Sequence, residues 1–206
     1  MKRIRFFSVL AGLCLILYLG AGMACAQSLQ EKADVNKDKI VTPEEMTNAL
    51  AERYKKEDAS KDGKLTVDEY LQARQKNFDD ADKNKDKVIG IEEWVIYWCG
   101  TANNAAKIKK PVKMDKTASR SQRMDTSKDG KIQPNECVAF WGGRFIDLDE
   151  NKDGKLTRDE YINRMKDMAK TMDLDGDGVI TIEEYYISWI GKDKMPGKGK
   201  KSATKK

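Results

Sequence analysis

Oxygen-bearing side chains recur along this 206-residue chain in one repeated spacing. Asp34, Asn36, Asp38 and Glu45 form the first set, Asp58, Ser60, Asp62 and Glu69 the second, and Asp82, Asn84, Asp86 and Glu93 the third. Asp125, Ser127, Asp129 and Glu136 follow, then Asp149, Asn151, Asp153 and Glu160, and finally Asp173, Asp175, Asp177 and Glu184. In every set the four residues stand at positions one, three, five and twelve of a twelve-residue stretch, with an aliphatic residue at position eight. Carboxylate, amide and hydroxyl oxygens gathered without nitrogen or sulfur suit a hard cation. One imperfect stretch would read as a surface turn, because Asp, Asn and Ser favour turns without any metal. Six in fixed register ask for a ligand.

The spacing closely resembles the EF-hand calcium loop. That resemblance implies side-chain oxygens from positions one, three and five, a backbone carbonyl from seven and both oxygens of the Glu at twelve, a cage of six to eight oxygens for Ca2+. All twenty-four residues named above are therefore expected metal ligands. Position six of such a loop turns sharply and favours Gly. Gly63, Gly130, Gly154 and Gly178 comply, whereas Lys39 and Lys87 stand there in loops one and three. A side chain forced into a left-handed conformation costs about 1–2 kcal/mol, so those two loops are expected to bind more weakly. Loop six, with four carboxylates and Gly178, is the strongest, and loop three, with Lys87 and Gly90 at position nine, the weakest.

Residue n matches residue n + 91 over much of the chain: Asp34, Asp58 and Asp82 fall on Asp125, Asp149 and Asp173, Pro43 on Pro134, Arg53 on Arg144 and Trp98 on Trp189. The chain is a duplicated three-loop unit. Loops within a unit start 24 residues apart, which leaves twelve residues between them. One helix must then serve as exit from one loop and entry to the next, running some fifteen residues, or roughly 22 Å. The fold expected is all-α, built of EF-hand helix–loop–helix repeats. Met46, Leu50 and Tyr54, and Tyr161, Met165, Met168 and Met172, hold apolar stripes at helical spacing, and Trp94, Trp98, Phe140, Trp141, Tyr185 and Trp189 add aromatic bulk to the exit helices. These stripes read as core, with a calcium-exposed partner groove as the functional alternative.

EF-hand loops associate through a short β bridge at position eight, here Val41, Leu65, Ile89, Ile132, Leu156 and Ile180. With one helix shared between neighbours, loops one and three are expected at one end of their unit, as are four and six. The expected pairs are one with three, four with six, and two with five, closing both units into one helical body; the alternative is two independent units on the linker from Thr101 to Lys116, with loops two and five exposed.

The organisation along the chain is a leader (1–26), unit one (27–100), a basic linker (101–118), unit two (119–191) and a basic tail (192–206). Lys2, Arg3 and Arg5 precede an apolar run, and Ala24-Cys25-Ala26 offers a small-x-small cleavage site. This pattern predicts a removed export signal and a periplasmic or secreted protein, with lipidation at Cys25 or a membrane anchor as alternatives. Residues 27–100 carry 13 basic and 17 acidic side chains and 125–191 carry 9 and 15, whereas 101–124 and 192–206 each carry 7 and 1. The linker is interrupted by Pro111 and gives way to a short entry helix near Ser119 to Met124. The tail, rich in Lys and Gly, has little to bury and is expected to be disordered. It could contact an anionic surface. Beyond the leader only Cys99 and Cys137 remain, and the sequence leaves open whether they form a disulfide or two buried thiols.

There is no His in the chain. That removes the usual general base, the triads built on it and most zinc or copper sites. No Gly-rich phosphate loop stands between a strand and a helix, so an enzyme is not expected, nor is a nucleic-acid partner. The signal and compact repeat resemble those of exported bacterial EF-hand proteins. The function that follows is calcium binding, as a buffer or as a sensor with an unknown protein partner; the alternative is a calcium-stapled scaffold of the cell envelope.

Overall fold

Position nine of each loop begins a helix, because the residue there has extended backbone and the Glu at twelve falls at the third helical position, ready to reach back. Thr42, Thr66, Thr157 and Thr181 cap in this way with full capping boxes. The computed structural model describes residues 28–111, 118–192 and 195. Residues 1–27, which hold the expected leader, and most of the tail lie outside the described residues.

Eight helices follow in order among the described residues: α1 (Leu29–Ala33), α2 (Pro43–Glu57), α3 (Val67–Ala81), α4 (Ile91–Cys99), α5 (Arg120–Met124), α6 (Pro134–Leu148), α7 (Arg158–Met172) and α8 (Ile182–Ile190). The four shared helices α2, α3, α6 and α7 are each 15 residues long, starting at position ten and stopping one residue before the next loop's Asp. The expected entry helix near Ser119 is α5, capped by Ser119. Its counterpart α1 has the same signature, Ser28 paired with Glu31 in a capping box, and was missed in the sequence. Within the linker a single 3₁₀ turn forms at Ala105–Lys107. Ile108 then packs so closely on Gly142 that a Cβ there would stand 2.3 Å from its Cδ1. No helix among the described residues is long and apolar enough to cross a membrane.

The apolar stripes face inward: Met46, Leu50, Tyr54, Tyr161, Met165 and Met172 are all buried. At the centre Trp98 stacks on Trp141 with ring centroids 3.9 Å apart, and Trp94 donates its indole N–H to the Trp141 carbonyl at 2.9 Å. Beside that stack Cys99 and Cys137 form a disulfide, with Cα atoms 5.9 Å apart.

The loops pair through position eight, but not in the expected combinations. Val41 bridges to Ile132, Leu65 pairs with Ile180, and Ile89 pairs with Leu156, all antiparallel. Loop one therefore meets loop four, two meets six and three meets five, each across the two units. The physical reason lies in the helices. Cys99 ends α4 and Cys137 lies near the start of α6, so the disulfide and the tryptophan stack set these helices antiparallel. The start of α4 leaves loop three and the end of α6 enters loop five, which brings those loops together. α3 packs on α7 and α2 on α8 in the same sense, joining loop two to loop six. Loops at the same end of one unit face the other unit instead of each other.

Candidate metal centres

Each loop is held by one set of hydrogen bonds, and all six loops make it. The position-one Asp accepts from the backbone N–H of position six: Lys39 to Asp34 at 2.8 Å, Gly63 to Asp58 at 2.9 Å, Lys87 to Asp82 at 3.0 Å, Gly130 to Asp125 at 2.9 Å, Gly154 to Asp149 at 2.8 Å and Gly178 to Asp173 at 2.9 Å. The position-five Asp accepts from the N–H of position seven, over 2.8–3.1 Å, at Asp38, Asp62, Asp86, Asp129, Asp153 and Asp177. Where position three is Asn36, Asn84, Asn151 or Asp175, its side-chain oxygen accepts from the N–H of position five. Ser60 and Ser127 instead donate their hydroxyls to Asp58 and Asp125.

The Glu at twelve closes the loop. One oxygen of Glu45, Glu69, Glu93, Glu136, Glu160 and Glu184 accepts from the N–H at position nine, 2.8–3.0 Å away. The other accepts from an N–H at position two or three, as from Ser60 to Glu69 at 2.9 Å and from Leu174 to Glu184 at 2.7 Å. The carboxylate thus spans both ends of the loop. Hydrogen bonds to the charged form favour it. The backbone N–H groups of Thr66 and Ser60 hold the Glu69 carboxyl down at about 2. Glu45 is lowered first by the Thr42 N–H. At Glu136, Glu160 and Glu184 burial opposes ionisation, yet the hydrogen-bond donors prevail, backbone N–H groups first at Glu136 and Glu184 and the Thr157 hydroxyl first at Glu160, and these carboxyls are lowered as well.

Position six has positive φ in every loop, 80–84° at the four glycines and 69° and 73° at Lys39 and Lys87. The lysines adopt the glycine conformation and bear its strain, as the sequence predicts. Position four is left-handed too, which sequence reasoning missed: Lys37, Lys61, Lys85, Lys128 and Lys152 have φ of 59–61°, and Gly176 has 75°. The signal was present in the Gly-x-Gly of loop six. Loops one and three hold two strained lysines each, loop six none.

Whether these residues fit a hard cation is tested by the donors themselves. Oxygens of Asp173, Asp175 and Asp177 lie within 4.8 Å of one another, the one such acidic trio among the described residues. The other loops bring Asn or Ser to position three. In loop three, Asp82 keeps a buried Oδ1 with no hydrogen-bond partner. The gathered oxygens of loop six and the orphaned oxygen of loop three both fit Ca2+.

A family model described as EF hand matches residues 144–166 and 170–186, which contain loops five and six. A comparison with curated proteins finds no match. The chain has the all-α EF-hand fold, and loops of this kind bind calcium in general. In loop six the residues that would hold the ion are Asp173, Asp175, Asp177 and Glu184.

Besides the loop carboxylates, the structure buries charge that sequence patterning hardly signals. Glu57 is buried and takes the Arg53 Nε at 2.6 Å and the Arg74 guanidinium as well. Arg53 lies over Trp98 and Trp189, and Arg120 over Trp189, with centroid distances of 5.1, 5.4 and 3.9 Å. The correspondence of Arg53 with Arg144 in the repeat was the available signal.

Proposed function

We propose that this protein is exported and binds several calcium ions through its six loops, acting as a buffer or sensor and not as an enzyme. The observation that carries the reading is the single hydrogen-bond set repeated in all six loops, including the two whose sixth residue is Lys. A loop already curled in this way directs its oxygens inward before the ion arrives, which lowers the ordering cost of binding. In a calcium-rich extracytoplasmic fluid, dissociation constants of about 10⁻⁴ to 10⁻³ M suffice. The basic residues at 2, 3 and 5, the apolar run and the Ala-Cys-Ala site support export.

The scaffold reading draws on a different observation: the disulfide and the three cross-unit bridges tie both halves together. Isothermal calorimetry with calcium, and with magnesium as competitor, tests the proposal. Several sites with preference for calcium are expected, and absence of heat at millimolar calcium refutes it. Calcium-dependent dye binding to newly exposed apolar surface would select the sensor; folding on calcium without it would select the scaffold.

A further inference from the structure

A cavity of about 590 Å³ opens between α1, α2, α3 and α4, with Trp98 and Tyr97 on one wall and Leu29 and Ala49 on another. The duplicated unit supplies an internal control. Leu29, Ala49, Asn77 and Trp98 correspond to Arg120, Phe140, Met168 and Trp189 in the 91-residue repeat. In unit two Arg120 lies over Trp189 and reaches the Met168 sulfur at 3.1 Å, and Phe140 is buried. The gap of about 20 Å³ that Arg120, Met168 and Trp189 border also touches Tyr70, Trp94 and Trp98, so it lies between the units. At these positions unit one has Leu29, Ala49 and Asn77 where unit two has the larger Arg120, Phe140 and Met168, and a volume of ordinary ligand-pocket size remains beside them.

Five carboxylates line this cavity. Its acidic side chains are engaged: Glu57 by Arg53 and Arg74, Asp80 by Lys76, Glu52 by Lys55, and Glu45 and Glu69 by the N–H groups of their loops. Lys32 and Lys56, both exposed, also line it, and among the described residues neither ammonium group makes a hydrogen bond or ion pair. Trp98 is 3% exposed and its indole N–H has no acceptor. Apolar walls beside two ammonium groups that make no ion pair suit a ligand with a hydrocarbon body and an anionic head.

We propose that this cavity binds a single-chain anionic amphiphile, with its tail against Leu29, Ala49 and Trp98 and its head near Lys32 and Lys56. Loops one and two border the cavity through Val35 and Ala59, and their position-twelve residues Glu45 and Glu69 line it as well; the tail and head positions use none of the expected calcium ligands.

The test is calorimetry of the full chain with 1-decanesulfonate below its micellar concentration, with decyltrimethylammonium as the cationic counterpart. Saturable one-to-one binding of the sulfonate alone is expected. Lys32→Gln with Lys56→Gln should weaken it at least tenfold, and Ala49→Phe, which copies unit two, should abolish it. A calcium titration of each variant, expected to be unchanged, separates failure of this site from failure of the calcium reading. No saturable sulfonate binding, equal binding of the cationic amphiphile, or undiminished binding to a cooperatively melting Ala49→Phe protein would overturn the proposal. If Ala49→Phe does not melt cooperatively, the paired lysine variant decides: unchanged affinity there overturns the head-group assignment and with it the proposal.

Discussion

Replacing Glu184 by Gln should weaken two calcium sites, and the second of them lies in the other unit. Glu184 accepts from the Leu174 N–H at 2.7 Å and, through its second oxygen, from the Thr181 N–H and hydroxyl, both at 2.8 Å. A carboxamide has one acceptor oxygen, so its NH₂ must face one of these donors. In the loaded loop the same two oxygens would lie on the ion. Hydrogen bonds to charged groups contribute about 1.5–3 kcal/mol and neutral ones about half. Two contacts each losing about 1.5 kcal/mol amount to roughly 3 kcal/mol, or about 100-fold in affinity. Loop six is bonded to loop two through the Leu65–Ile180 pair, the Val67 N–H to Gly178 carbonyl bond at 3.1 Å and the Tyr54 hydroxyl to Ile180 carbonyl bond at 2.8 Å. A loop six that no longer closes leaves loop two without its ordered edge, and a coupling of about 1 kcal/mol makes a several-fold loss there. The assay is an NMR calcium titration followed at the position-six glycine amides, which bond to the position-one Asp. The Gly178 and Gly63 signals should move at higher calcium than in the parent protein, while Gly130 and Gly154 keep their midpoints. If Gly130 shifts with Gly178 and Gly63 does not, coupling runs within the unit and the reasoning fails.

Chelation should lower the melting temperature, since a ligand that binds only the native state adds about 1.4 kcal/mol per site at ten times its dissociation constant; a melting curve indifferent to chelator refutes the proposal. Cys137→Ser removes a cross-link spanning 38 residues, and the chain-entropy relation predicts about 4 kcal/mol of lost stability, measurable by urea denaturation. Glu57→Gln leaves Arg53 and Arg74 buried without their carboxylate; about 3–5 kcal/mol and a fall of roughly 6–20 °C in Tm should follow, and a change under 2 °C would count against the buried triad. Glu69 has a folded-state pKa depressed to about 2, so its contribution is present above the ordinary carboxylate value of 4.5 and is lost as pH falls towards 2. In chelated protein Glu69→Gln should therefore flatten the acid limb of the stability profile, and an identical profile would refute the clasp.

The loops and their helices were legible because both are local. Asp at one and Glu at twelve are brought together by the curl of twelve residues, and the 24-residue spacing set the length of helices α2, α3, α6 and α7 at some fifteen residues, as found. The strain at Lys39 and Lys87 followed from position six alone. Backbone handedness at position four was just as local, yet five lysines concealed it, because a non-Gly residue carries no mark of positive φ.

The partner of each loop was a different kind of question. All six position-eight residues are aliphatic and interchangeable as edges, so nothing local tells Leu65 to choose Ile180 over Leu156. The choice was made by helix packing: α4 lies antiparallel to α6 because Trp98 stacks on Trp141 and Cys99 joins Cys137, contacts separated by about forty residues in sequence and selected by shape. The cavity in unit one is equally a tertiary outcome. Leu29, Ala49 and Asn77 are unremarkable in sequence, and only their assembly around Trp98, beside a copy filled by Arg120 and Met168, shows that space was left. Sequence determined the curl of the twelve-residue loops and the helices between them, because the forces there act over a few residues; tertiary structure decided which loops pair and where volume remains, because those depend on how whole faces pack.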